Sequence, residues 1–428
     1  MLEKSNRTEA YIFGGAFVIR ALYAIAIQIT AGAHGFISFS DAKAFYYQAA
    51  LNLLHSHIFS IAVATPFYPE AYHTPLYPLF IAGLMVLHVP LFGIVLAQDI
   101  ICAITIVLIY RVALMLSESR GIALASAVLA SIEPMSIYWS GLLMSDSFFA
   151  FFVILAVYFL VQRCQNASLF ALGFAALTRP IALYFMPLFV AMCIYQLYIS
   201  DEATRGIIKK IAIALTLFLV VLAPWSLRNK AVFNTWSLSS AGWYLFYGFP
   251  LSEFAHTYKL PVVPVSQPDV GPDDFHRFGF EYTPLYKKAF FETIAQNPVG
   301  FAIVYAKRSL YGLVTDRYDY LFNDVLSSEL PSVYKRLPGA LIALLLGAGQ
   351  MFWLSIYILT ILGLAWRRLW PWWLFYISLF GMSLVFSAGI NPAGLDMSRY
   401  LLHIFPFFFM FAAIGARIIL ERMAQWRS

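Results

Sequence analysis

The chain has 428 residues, of which 61% are hydrophobic and only 12% charged, and its mean hydropathy is +0.75. A soluble domain carries roughly 25% charged residues, so the composition excludes an ordinary water-soluble fold and implies an integral membrane protein. The formal charge of +6 is what Lys and Arg on the cytoplasmic side of a multispanning protein produce, and it calls for no nucleic acid partner.

In chain order, residues 11–31 form the first apolar run long enough to cross a bilayer, which takes about 20 residues. No small-residue cleavage pattern follows it, and Arg20 stands in its middle, so it reads as a retained anchor. The stretch FSDAKAFYYQAALNLLHSHIFS comes next. From Asp41 its spacing places Ala42, Phe45, Ala49 and Leu53 on one helical face, with Lys43, Tyr47, Gln48 and Asn52 opposite. That is the pattern of a helix lying in the membrane interface, with Ser40 as a candidate cap. An acid in a first helical turn complements the helix dipole, so position alone leaves the purpose of Asp41 open.

Further apolar runs follow at 92–116, 121–139, 145–161, 167–177, 181–199, 207–224, 341–364, 371–387 and 401–420. Short loops rich in Lys and Arg are cytoplasmic. Placing Arg111 and Arg120, Arg163, Arg205 with Lys209 and Lys210, Arg367 with Arg368, and the C-terminal arginines inside requires about ten crossings. It also demotes TPLYPLFIAGLMVLH to a re-entrant or interfacial helix. Three regions are expected: a transmembrane module at 1–224 whose first outer loop is 32–75, an outer-facing segment at 225–338, and C-terminal spans at 339–428. Within the middle region the spacing predicts one amphipathic helix around 284–313. Cys102, Cys164 and Cys193 lie in or beside apolar segments and imply neither a disulfide framework nor a metal cluster.

The stretches SDAKAFYYQAALNLL, HTPLYPLFIAGLMVL, EPMSIYWSGLLMSDSFFAFFVILAVYFL, ALTRPIALYFMPL, LAPWSLRNKAVFNTWSLSSAGWYLFYG, ETIAQNPVGFAIVYAKRSLYGL and SRYLLHIFPFFF run in order over nearly the whole chain. Together they resemble GT-C glycosyltransferases of the protein O-mannosyltransferase and aminoarabinose (lipid A) transferase type. The resemblance implies an all-α polytopic fold with about ten or more transmembrane helices, interfacial helices in the first outer loop, and a cavity at the outer membrane surface. It also implies sugar transfer from a polyprenyl-phosphate donor to a hydroxyl of a glycan, lipid or protein acceptor, at the periplasmic side of a plasma (inner) membrane. Asp41 would be the general base. Ala42 and Lys43 follow it where several relatives carry a second acid, which disfavours a divalent metal with its clustered oxygen ligands. No cofactor is expected.

The leaving phosphate gains charge as its bond to the sugar breaks, so fixed cations should face it. Arg179, Arg228, Arg308 and Arg399 fall near outer helix ends and are the candidates, each with an alternative as a snorkelling cation. Lys43 could pair with Asp41 or touch phosphate. Asp146, at the start of an apolar span, is expected to contact acceptor or sugar or to organise Arg179, with a first-turn or capping role as its alternative. Glu133, before Pro134 at the end of the previous span, is a lesser candidate of the same kind, with solvent exposure as its alternative. His73 is placed in the cavity, Tyr46 beside Asp41, and Tyr244 and Tyr247 as aromatic surfaces for a sugar face. His55, His57, His73 and Glu70 do not have zinc spacing. Two other classes fit a chain of this composition: a transporter or flippase of lipid-linked sugars, and a non-catalytic scaffold of the same fold.

Overall fold

The computed structural model describes residues 2–39, 41–70, 72–262, 265, 279–314, 338–366, 369–390 and 397–427. Ser40, most of the breaker-rich run at 260–274, and most of the turn before the last span lie outside the described residues. Every regular element among the described residues is helical. Helices α1 (Leu2–Ala31), α4 (Leu91–Ser117), α10 (Thr204–Phe233), α15 (Gly339–Leu364) and α16 (Trp370–Ile390) contain the five stretches long and apolar enough to cross a membrane. The pair α5 (Arg120–Ile132) and α6 (Pro134–Ser140) makes a sixth if counted as one span bent by 56°. Helices α7 (Ser145–Val161) and α9 (Ala182–Tyr198) are apolar, but their 17 residues each fall short of a full crossing. α8 (Gln165–Thr178) is shorter still. Length and apolarity thus mark five or six spans, against the roughly ten that the charge pattern required.

α4 is the hub of the bundle, packing against α1, α5 and α7, while α8 is wedged between α7 and α10. The last helix, α18 (Phe405–Arg427), packs on α15 and α5. Its contact with α15 is close because Gly363 and Gly415 face each other. A Cβ on Gly363 would collide with the Phe411 carbonyl, and one on Gly415 with the Leu359 carbonyl. Small residues let helix backbones approach in this way where lipid offers no hydrophobic drive to associate.

The bend between α5 and α6 has a local cause. Pro134 cannot continue α5 but suits the first turn of a new helix. The Glu133 carboxylate caps that turn, accepting from Met135 N at 3.2 Å and Ser136 N at 2.6 Å. Glu133 is fully buried, which removes the alternative of solvent exposure. The break leaves the last carbonyls of α5 without helical partners, and Arg20, buried in α1, donates to Ala130 O and Ser131 O at 3.4 and 3.3 Å.

The first loop is helical from Asp41 onward, opening as a π turn (Ala42–Tyr47) that runs into α2 (Gln48–Ser56). Ala42, Tyr46, Ala49 and Ala50 are buried. Asn52 is buried as well, its amide donating to Ser60 O at 2.7 Å and Ala62 O at 2.9 Å. The wider π turn rotates the helix away from the 3.6-residue register that had placed Asn52 on the open face. α3 (Leu76–Val86), about 16 Å long, cannot span. It is fixed by Tyr77, whose hydroxyl donates to Gln98 on α4 at 2.6 Å.

Beyond α10 lie α11 (Ala241–Phe246), α12 (Ser252–Tyr258), α13 (Thr283–Gln296) and α14 (Pro298–Val314). Leu251, Phe254, Phe290 and Val304 form a small core of their own there. The single amphipathic helix expected at 284–313 is two helices, because Pro298 disfavours helical backbone at Asn297 and opens the next helix.

Candidate active site

A cavity of about 990 Å³ opens where the first loop, the start of α9, the end of α10, α11 and α16 converge. Asp41 stands at the head of the first-loop helix, and Asp146 in the first turn of α7. Arg179 follows the last residue of α8 in extended backbone, and Arg399 lies in the short helix α17 (Met397–Leu401). Far apart in sequence, these four are linked in space as acid, base, acid, base.

Arg399 Nη2 is 2.8 Å from Asp41 Oδ2, and Arg399 Nε is 3.0 Å from Asp146 Oδ2. That same Asp146 oxygen takes Arg179 Nη2 at 2.7 Å. Arg179 Nε donates to Ser145 Oγ at 3.0 Å, and Ser145 Oγ is 2.8 Å from the Tyr46 hydroxyl. Burial pushes the Tyr46 phenol above its ordinary pKa, outweighing the pull of Arg179 and Arg399 in the other direction. Tyr46 therefore stays a neutral hydroxyl. The Arg399 guanidinium lies 5.2 Å from the Phe39 ring centre and 5.6 Å from that of Trp139, and Arg179 sits 5.4 Å from that of Tyr400. Pairing and ring contacts together make the burial of these cations tolerable.

The chain is open at chosen atoms. Asp41, 30% exposed, uses Oδ2 on Arg399, and its Oδ1 has no partner among the described residues. Arg179 Nη1 is likewise uncommitted, and both residues line the cavity. His73 lines it too. Its Nδ1 is held 2.7 Å from Glu70 Oε1, which leaves Nε2 for the cavity. A hydroxyl acceptor and a cationic donor thus share one chamber.

The other sequence candidates divide. Asp146 does not line the cavity: it is enclosed behind Arg179 and Arg399, in the place of an organising partner rather than a sugar contact. Arg228 is away from the cavity, clamping the first loop by donating to Glu70 O at 2.8 Å, with its guanidinium 4.7 Å from the Trp225 ring centre. The earlier expectation of a phosphate contact for Arg228 is therefore not met by its position. Lys43 is exposed on the far face of its helix and is not a lining residue. Arg308 pairs with Glu253 and donates to Ala388 O at 2.9 Å. On α11 it is Trp243 and Phe246 that border the cavity. Tyr244 packs on Tyr72 and Tyr286, and Tyr247 on Tyr286.

Sequence reading took Tyr72 only as one member of an aromatic cluster at 66–77 and passed over Tyr400 and His403; all three line the cavity. Only the helical spacing from Arg399 to His403 offered a signal for any of them. Among the described residues no group of three or more His, Cys, Asp or Glu side chains could hold a metal ion.

Residues 72–227 match the family model described as dolichyl-phosphate-mannose-protein mannosyltransferase. The matched stretch is less than half of the chain and supports a membrane glycosyltransferase of the GT-C type. It covers His73, Asp146 and Arg179, while Asp41 and Arg399 lie on either side of it and join the matched segment through the ion pairs. No curated protein and no solved structure matches the chain.

Proposed function

We propose that this chain is a membrane glycosyltransferase that takes its sugar from a polyprenyl-phosphate donor and passes it, with inversion, to an acceptor hydroxyl at the outer face of the membrane. The carrying observation is that Asp41 Oδ1 and Arg179 Nη1, both uncommitted, border the same cavity while Asp146 and Arg399 fix their positions. The acceptor oxygen forms a bond to the anomeric carbon from one face as the bond from that carbon to the phosphate oxygen breaks on the other. The bonding electrons leave with the phosphate, and the hydroxyl proton goes to Asp41. Arg399 holds the carboxylate in place for that transfer. Arg179 offsets the charge developing on the departing phosphate, and its hold on Asp146 and Ser145 means that little reorganisation is required.

The test is a panel of labelled polyprenyl-phosphate sugars offered to the purified protein. Asp41→Asn is expected to keep donor binding and to lose transfer by about 100-fold or more, the scale of a lost general base. Undiminished transfer by Asp41→Asn would remove the base assignment. Failure of the wild type to bind any donor would overturn the reading as a whole.

A further inference from the structure

In the same cavity lies a side chain to which the reaction so far gives no task. His403 borders the cavity yet is only 2% exposed. It comes one helical turn after Arg399, in the turn between α17 and α18. Its ring packs against Phe149 and Phe185, with centroids 4.9 and 5.6 Å away. Phe149 itself lines the cavity one turn after Asp146 on α7.

The hydrogen-bond network fixes the tautomer. Ser383 on α16 donates its one hydroxyl proton to Leu379 O at 2.8 Å, so toward His403 Nε2, also 2.8 Å away, its oxygen can only accept. Nε2 therefore carries the ring proton, and Nδ1 of the neutral ring is a hydrogen-bond acceptor. Nδ1 has no partner among the described residues, and unlike the enclosed Oδ1 of Asp146 it is open to the cavity. An acceptor left unmatched in so apolar a place is costly unless a ligand supplies a donor.

We propose that His403 Nδ1 accepts a hydrogen bond from a hydroxyl of the transferred sugar and thereby selects among sugars by the presence and configuration of that hydroxyl. The inference rests on the glycosyltransferase reading. Asp41, Arg179 and Arg399 gather at the phosphate and anomeric end, so a lining group one helical turn on from Arg399 meets the sugar ring. A lone pair repels a phosphate oxygen and attracts a hydroxyl proton, and the Phe149 ring offers an apolar surface for the sugar's C–H face.

The experiment uses full-length protein in liposomes and polyprenyl-phosphate sugars, including the deoxy forms and epimers of whichever sugar the wild type transfers. The wild type is expected to favour the parent sugar over one deoxy form by about tenfold, the scale of one hydrogen bond. His403→Phe, which keeps a ring and removes the acceptor, should abolish that preference at a single hydroxyl. His403→Asn, whose amide oxygen can stand near the place of Nδ1, should restore part of it. If His403→Phe does not fold, Ser383→Ala, which releases the tautomer, should weaken the same preference. An unchanged preference in the folded variant overturns the inference while leaving the transferase reading intact. So does an effect confined to acceptor choice. A wild type that transfers no sugar of the panel overturns both.

Discussion

Asp146 carries two guanidinium groups on one carboxylate oxygen, while its other oxygen is enclosed without a hydrogen-bond partner among the described residues. Its charge is what makes Arg179 tolerable at this depth, whereas Arg399 also has Asp41. Asp146→Asn should therefore cost about 3 kcal/mol, the scale of a broken buried pair, read as a lower thermal midpoint in detergent. It should also weaken donor binding, because Arg179 loses its anchor; a variant as stable as wild type would show that the pair is not structurally important. Residue type and approximate depth already singled out Asp41, Asp146, Arg179 and Arg399 in the sequence. Their pairing was not legible, because the sign of a charge does not say which of several opposite charges it will meet.

Proline sets helix starts at some positions of this protein and not at others, since Pro187 and Pro224 lie inside α9 and α10. Pro134 and Pro298 each open a new helix within what hydropathy alone presented as one run. Hydropathy averages over a window and cannot register one missing N–H. Trp243 and Phe246 of α11 border the cavity in place of the predicted Tyr244 and Tyr247, a rotation that closely spaced aromatics do not specify. The crossing of α15 and α18 depends on Gly363 and Gly415 meeting backbone directly. Gly363→Val should force the helices apart at a cost of about 1–3 kcal/mol, the usual penalty of overpacking. Thermal unfolding of the purified variant is the measurement, with Gly347→Val on the same helix, where an added Cβ meets nothing within 4 Å, as the comparison expected to change little.

Over the whole molecule, the charge pattern assigns a side to each loop and can be tested without knowledge of the substrate. Cys164 is an exposed thiol beside Arg163, whereas Cys102 and Cys193 are buried. In sealed right-side-out vesicles a membrane-impermeant maleimide should leave Cys164 unlabelled until the membrane is opened. Cysteine at the exposed position 43, in Lys43→Cys on a Cys164→Ser background, should label at once. Immediate labelling of Cys164 with protection of position 43 would reverse the topology and place the cavity on the other face, and labelling of both from the same side would refute the charge-derived arrangement.

By itself the sequence determined the membrane class and the broad helical architecture, because these follow from local composition and period. It also carried a family resemblance that the match over 72–227 supports at the level of a membrane glycosyltransferase. Tertiary structure alone decided which charges share the cavity. Arg399 meets Asp146 across 253 positions of chain, Arg228 turns to the first loop instead, and His403, an unremarked residue in an aromatic run, comes to border the cavity. The physical reason is that buried charges must be paired where the packing of distant helices happens to bring partners within about 3 Å. No local pattern encodes such a meeting.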